Sequence, residues 1–145
     1  MLRLSKRVEY GLMAVLRMDE LAPEALISAG DIAAQYRLPA DLLGKVMQAM
    51  ARGGLLESVH GARGGYRLAR PLDALTLGDV VVAIEGPTKL VRCQESEELC
   101  DHYEGCPIRE PVLQMQAQLQ DYMHAFKLAT FRQPVNERER RQQAV

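Results

Sequence analysis

The sequence predicts a mainly α-helical fold with one small β-hairpin and a long C-terminal helix. Three observations carry this reading. Apolar residues recur at helical spacing in several segments, a glycine-rich connection separates two short apolar runs near the middle, and a heptad-like seam follows after residue 110.

The first helix is expected over residues 5–21. Ser5 can cap it, Val8, Leu12, Val15 and Leu16 share one face, and Pro23 lies just beyond its end. Ser28 and Asp31 form an S-x-x-D capping box that opens a short second helix, which the pair Leu38-Pro39 is expected to break. A third helix runs from about Ala40 to Arg52, with Leu43, Val46, Met47 and Met50 as its apolar stripe and Gly53-Gly54 as its stop. Two strands follow, Leu55 to Val59 and Tyr66 to Ala69, joined by the tip HGARGG. Thr76 and Asp79 make a second capping box ahead of a helix that ends at Gly86-Pro87. Pro111 suits the first turn of a long helix reaching about Phe126.

Helix, short helix, turn, helix and hairpin is the order of a winged helix-turn-helix. The full expected class is therefore mainly α with a small β-wing: a winged helix-turn-helix plus a long C-terminal dimerisation helix. Val112, Met115, Leu119, Tyr122 and Phe126 would form the seam between two copies, with Gln114, Gln116, Gln118 and Gln120 left mostly on the surface. Residues 1–86 form the expected DNA-binding domain, 87–107 a cysteine-bearing loop, 108–131 the dimerisation helix and 132–145 a disordered tail.

The net charge is -1, yet its distribution is uneven. Residues 37–70 carry Arg37, Lys45, Arg52, Arg63, Arg67 and Arg70 against only Asp41 and Glu57, whereas residues 91–110 are net acidic. The basic stretch coincides with the third helix and the hairpin. Lys45, Gln48 and Arg52 would face a major groove, with Arg52 nearer the phosphates. Arg63 at the wing tip would enter a minor groove, and Gly64 and Gly65 would let the backbone approach closely. A solvated face is the alternative reading of each of these charges taken singly. The composition also excludes some classes. No apolar run approaches bilayer length and nothing resembles a signal peptide, so the expected location is cytoplasmic, with no membrane partner. His60, His102 and His124 fall in different elements and no nucleophile–base pair is visible, so neither an enzyme nor a small-molecule substrate is expected.

Cys93, Cys100 and Cys106 are spaced C-x6-C-x5-C in a stretch without periodicity. Close C-x-x-C knuckles typical of zinc sites are missing. The wider spacing suits thiolate ligation of an iron–sulfur cluster, but three unligated thiols or a redox disulfide fit it equally. Three thiolates would leave one position to Asp101, His102, Glu104 or a group from elsewhere.

With these residues in view, the chain resembles a known family. The segments LRLSKRVEYGL, LLESVHGARGGYRLARP and LTLGDVVVAIEGP, with GCP closing the cysteine stretch, are similar to the IscR-like winged-helix iron–sulfur regulators, above all to the branch that regulates the SUF assembly system. The resemblance covers about residues 1–131. It implies a homodimeric repressor or activator bound to a double-stranded DNA operator, with affinity set by the cluster. It implies cluster ligation by Cys93, Cys100 and Cys106, with 2Fe-2S as first choice and 4Fe-4S close behind. The family's histidine ligand has no counterpart, because Arg109 stands in its place. Some relatives use a carboxylate on the partner's first helix instead, and Glu9 occupies that position. A cluster-free thiol-switch regulator and a small iron–sulfur redox protein are the alternative functions.

Overall fold

In a computed structural model, which describes residues 2–132, the chain forms five α-helices and one two-stranded antiparallel sheet among the described residues. The helices are α1 (Lys6–Asp19), α2 (Ala29–Tyr36), α3 (Ala40–Arg52), α4 (Leu77–Glu85) and α5 (Arg109–Ala125); the strands are β1 (Leu56–Val59) and β2 (Gly65–Leu68). The winged helix-turn-helix order expected from the sequence is the order observed.

Local chemistry explains most of the boundaries. The Ser5 hydroxyl accepts from the Val8 N–H at 3.2 Å and starts α1. At α4 the capping box is complete: Thr76 Oγ1 accepts from Asp79 N at 3.1 Å and Asp79 Oδ2 accepts from Thr76 N at 2.9 Å. At α2 the expected box is only half made. Ser28 Oγ accepts from Asp31 N, but it donates its own proton to the Asp31 carboxylate at 2.8 Å, so that carboxylate does not return to the backbone. The end of α2 also differs from expectation. Arg37 closes it in the left-handed conformation (φ 56°), and the Leu38 N–H returns to the Ala33 carbonyl at 2.8 Å, before Pro39 is reached.

The apolar stripe of α3 is the centre of the core. Leu43, Val46, Met47 and Met50 are fully buried beside Val8 and Val15 of α1, Ile32 of α2 and Val80 of α4. Truncating one of the large side chains to alanine here is expected to cost about 2–5 kcal/mol, lost transfer energy plus the cavity left behind. The register of the hairpin pairs Leu56 with Leu68 and Glu57 with Arg67. A bridge from Ile27 to Tyr66, with N–H to carbonyl distances of 2.9 and 3.0 Å, extends its edge.

The C-terminal part is less separate than the sequence suggested. After α5 the chain turns back, the Leu77 N–H reaches the Phe126 carbonyl at 2.9 Å, and the Leu128 N–H reaches the Leu75 carbonyl at 2.9 Å. Leu128 is fully buried and Met123 nearly so, both within the core of the N-terminal unit. The expected disordered tail, 132–145, lies outside the described residues except for Arg132. That residue is anchored, with Asp19 at 2.7 Å and Asp73 at 3.2 Å.

Candidate nucleic-acid interface and cysteine cavity

Because α3 buries one stripe, its opposite face is solvent-exposed, and Lys45, Gln48 and Arg52 stand on it at spacings of three and four. Among the described residues no ion pair engages Lys45, Arg52 or the exposed wing-tip Arg63. Their charges are therefore available to an outside partner. Arg67, counted with them in the sequence, is not available in this way. It is held by Glu57 and Glu24, each at 2.6 Å, across β1 and from the α1–α2 connection.

The two wing glycines have work inside the protein. A Cβ on Gly64 would run into the Val59 carbonyl, and one on Gly65 (φ +153°) would stand 2.9 Å from the Ile27 carbonyl oxygen. They let the hairpin close and let β2 lie beside Ile27. Gly61, also in the wing turn, has open space around it.

The acidic stretch folds into two short 3-10 turns, Arg92–Gln94 and Glu97–Leu99, and then runs into α5. This brings the three cysteines, all half-buried and free of disulfides, to the walls of one cavity of about 240 Å³. Val91, Leu99, Ile108 and Val112 supply apolar walls, and Arg92 and Arg109 supply positive charge. Arg109 also braces the loop: its guanidinium lies 4.4 Å from the Tyr103 ring centroid, and its Nη1 donates to the Tyr103 carbonyl at 3.0 Å. Glu97 hydrogen-bonds the Tyr103 hydroxyl and, with burial, raises its pKa above the usual 10.0. Among the described residues no three His, Cys, Asp or Glu side chains are grouped closely enough for a single metal ion.

Asp101, His102 and Glu104 are not in the cavity wall, and neither is Glu9. Glu9 is exposed on α1 and paired with Lys6 at 2.7 Å.

The expected α5 seam divides in two. Met115 and Tyr122 are exposed at 50% and 63%, with Ile108 in the same row at 60%. Val112 lines the cysteine cavity, Leu119 packs on the protomer's own core, and Phe126 stacks edge-on against Phe131 at 5.5 Å. Two glutamines expected on the surface turn inward instead. Gln116 Oε1 accepts from the Leu90 N–H at 2.9 Å and Gln120 Nε2 donates to the Thr88 carbonyl at 3.1 Å, fastening the segment after α4 to α5. Nothing in their spacing marks them, because their partners lie 26 and 32 residues away.

A winged helix with an open basic face, joined through a cysteine-lined cavity to a helix with an unpaired apolar row, is the architecture of a DNA-binding regulator. The model of the Rrf2 family, described as iron-dependent transcriptional regulators, matches residues 4–133, and the chain belongs to that family. It is a DNA-binding transcription regulator, not an enzyme. Solved structures with a similar fold include CymR of B. subtilis, the global cysteine regulator (24% identity, 92% of this chain and 100% of that one, TM-score 0.66). CymR of Staphylococcus aureus is 26% identical over 86% of this chain and 93% of its own, with a TM-score of 0.62. IscR of T. potens is 24% identical over 88% of this chain and 84% of its own, with a TM-score of 0.64. Regulators of the family bind DNA, usually as dimers. No helix among the described residues is long and apolar enough to cross a membrane.

Proposed function

We propose that this regulator binds its operator as a homodimer and that an iron–sulfur cluster held by Cys93, Cys100 and Cys106 sets its DNA affinity. The observation that carries the reading is the shared cavity: three free thiols, within 14 residues of sequence, line one largely apolar chamber beside the first turn of α5. Soft thiolate donors in a largely apolar wall with two arginines fit an anionic iron–sulfur group, 2Fe-2S by preference or 4Fe-4S. Such a group spreads over more space than the single ion for which no ligand set is grouped among the described residues. When bound, it would supply iron–thiolate bonds sensitive to oxidants and to iron supply, matching control of iron–sulfur assembly, the SUF system included, or of a related redox, iron or nitric-oxide response.

The protein's own residues then have the following roles. Lys45 and Gln48 read base edges, Arg52 and Arg63 neutralise phosphates or enter the minor groove, and Gly64 and Gly65 shape the wing that presents Arg63. Ile108, Met115 and Tyr122 meet their counterparts in the partner. Glu9, absent from the cavity of its own protomer, reaches the partner's cysteine loop as the remaining ligand. Residues 1–86 thus read DNA, 87–107 sense, and 108–131 pair the subunits, with 132–145 as a tail. A change in the loop reaches the reading helix through Arg109, Gln116 and Gln120, which tie the loop and the segment before it to α5, and through the packing of α5 on α4.

The test is the visible absorbance, with iron and sulfide content, of anaerobically purified protein. Visible absorbance that Cys106→Ala abolishes is expected of a cluster protein. A second reading, a thiol switch without a cluster, draws on the three free thiols in one cavity and on the S. aureus CymR structure described as an oxidized form. It predicts colourless protein whose DNA affinity still responds to peroxide and recovers with a thiol reductant.

A further inference from the structure

Arg52 ends α3 and Arg70 follows β2, so the whole wing separates them in sequence, yet both line one cavity of about 380 Å³. Leu55 and Val82 give it apolar lining, Val82 being 45% exposed, and His124 brings α5 into the wall. It shares no lining residue with the cysteine cavity. Neither arginine has an ion-pair partner among the described residues. The one carboxylate in the wall, Asp79, is already engaged: Oδ2 accepts from the Thr76 N–H at 2.9 Å and Oδ1 faces His124 Nδ1 at 4.0 Å. Arg70 also borders a cavity of about 400 Å³ at the wing base, but the carboxylates there, Glu24 and Glu57, are engaged by Arg67 at 2.6 Å each. Positive charge at the α3–α4–α5 junction is thus left without an internal counterpart, beside an apolar wall.

We propose that this cavity binds a small organic oxyanion, a phosphate or carboxylate group gripped by the Arg52 and Arg70 guanidiniums with its apolar part against Leu55 and Val82. Planar guanidiniums in the wall of one space suit forked hydrogen bonding to such a group. A backbone phosphate of DNA has the same chemistry. The lining from α4 (Asp79, Val82, Ala83) and α5 (His124), outside the helix and wing assigned to DNA, favours a small molecule. An occupant would touch the last turn of the reading helix, the exit of the wing, α4 and α5 together. It would favour whichever relative placement of these elements fits it, and so act on operator affinity as an effector.

The test uses the full-length protein and inorganic phosphate at constant ionic strength, followed by isothermal titration calorimetry. Saturable binding is expected, weakened about tenfold by Arg70→Met or Arg52→Met, the loss of one charge-assisted contact. Arg3→Met, which removes the same charge from an exposed site on the N-terminal segment, should leave it unchanged. In a second arm without phosphate, Arg70→Met should retain wild-type affinity for operator DNA and the wild-type salt dependence. Non-saturable binding, or equal weakening by Arg3→Met, overturns the proposal. So does a fall of about one in the salt slope of DNA binding for Arg70→Met, which would assign Arg70 to the DNA backbone. Unchanged thermal melting of the variants excludes unfolding as the cause of any loss.

Discussion

Arg132 holds Asp19 by two hydrogen bonds, Nη2 to Oδ1 at 2.7 Å and Nε to Oδ2 at 2.8 Å, and so ties the chain beyond α5 to the end of α1. The same guanidinium reaches Asp73 at 3.2 Å. The far end of α5 is therefore anchored to the winged-helix unit, and loop and helix can act on that unit through a fixed joint. Arg132→Ala should lower the melting temperature, and because the pairs are exposed, the gap from wild type should shrink at high salt. A gap independent of salt would mean that the side chain acts through packing.

His124 of α5 packs against Gly78 near the start of α4, where an added Cβ would stand 2.5 Å from the imidazole Nδ1. Alanine in place of glycine inside a helix ordinarily stabilises by about 1 kcal/mol. Gly78→Ala should instead destabilise the wild type, because it displaces the ring from Asp79. In a His124→Ala background the same substitution should become neutral or stabilising. Chemical denaturation of the four proteins measures the coupling, and simple additivity would show that α4 and α5 do not meet through these residues.

How much of this was legible in sequence depended on the range of the interaction. The α3 stripe, the Thr76–Asp79 box and the hairpin were readable because each is written within a few neighbouring residues. The pairing of Arg67 with Glu24 was not, since 43 residues separate them, so the wing looked more basic than it is. The inward Gln116 and Gln120 were missed for the same reason. Heptad spacing identified the apolar residues of α5 but could not divide them between Leu119, which serves its own core, and Tyr122, which faces out. The cysteine spacing showed that three thiols are near one another in the chain; that they share a cavity with Arg109 and Val112 is a matter of tertiary structure.

That division changes the variant that tests assembly. Leu119→Asp would set a charge at a half-buried position against the protomer core and destabilise the fold itself. Met115→Asp and Tyr122→Asp alter exposed positions and should leave the helical content intact while sedimentation shifts from dimer to monomer. A dimer that persists in both variants would mean that the exposed row of α5 is not the interface.

On DNA, Arg63→Ala should weaken operator binding by about 1–3 kcal/mol if the wing tip enters a groove. Lys45→Ala should weaken binding and alter base preference at one position, if it reads a base edge. Fluorescence anisotropy over a salt series separates the two kinds of contact. An unchanged affinity for Arg63→Ala at every salt concentration would remove the wing tip from the interface.

The central claim, that the state of the cysteine loop sets DNA affinity, is tested most directly by one anisotropy comparison. Protein purified anaerobically is titrated onto operator DNA before and after its iron is removed with a chelator, alongside Cys106→Ala. The account predicts at least a tenfold difference in affinity between the loaded and stripped forms, about 1.4 kcal/mol of coupling. It also predicts that Cys106→Ala behaves as the stripped form whether or not chelator is present. Equal affinities of loaded and stripped protein, with loss of the visible absorbance verified in the same sample, would contradict it.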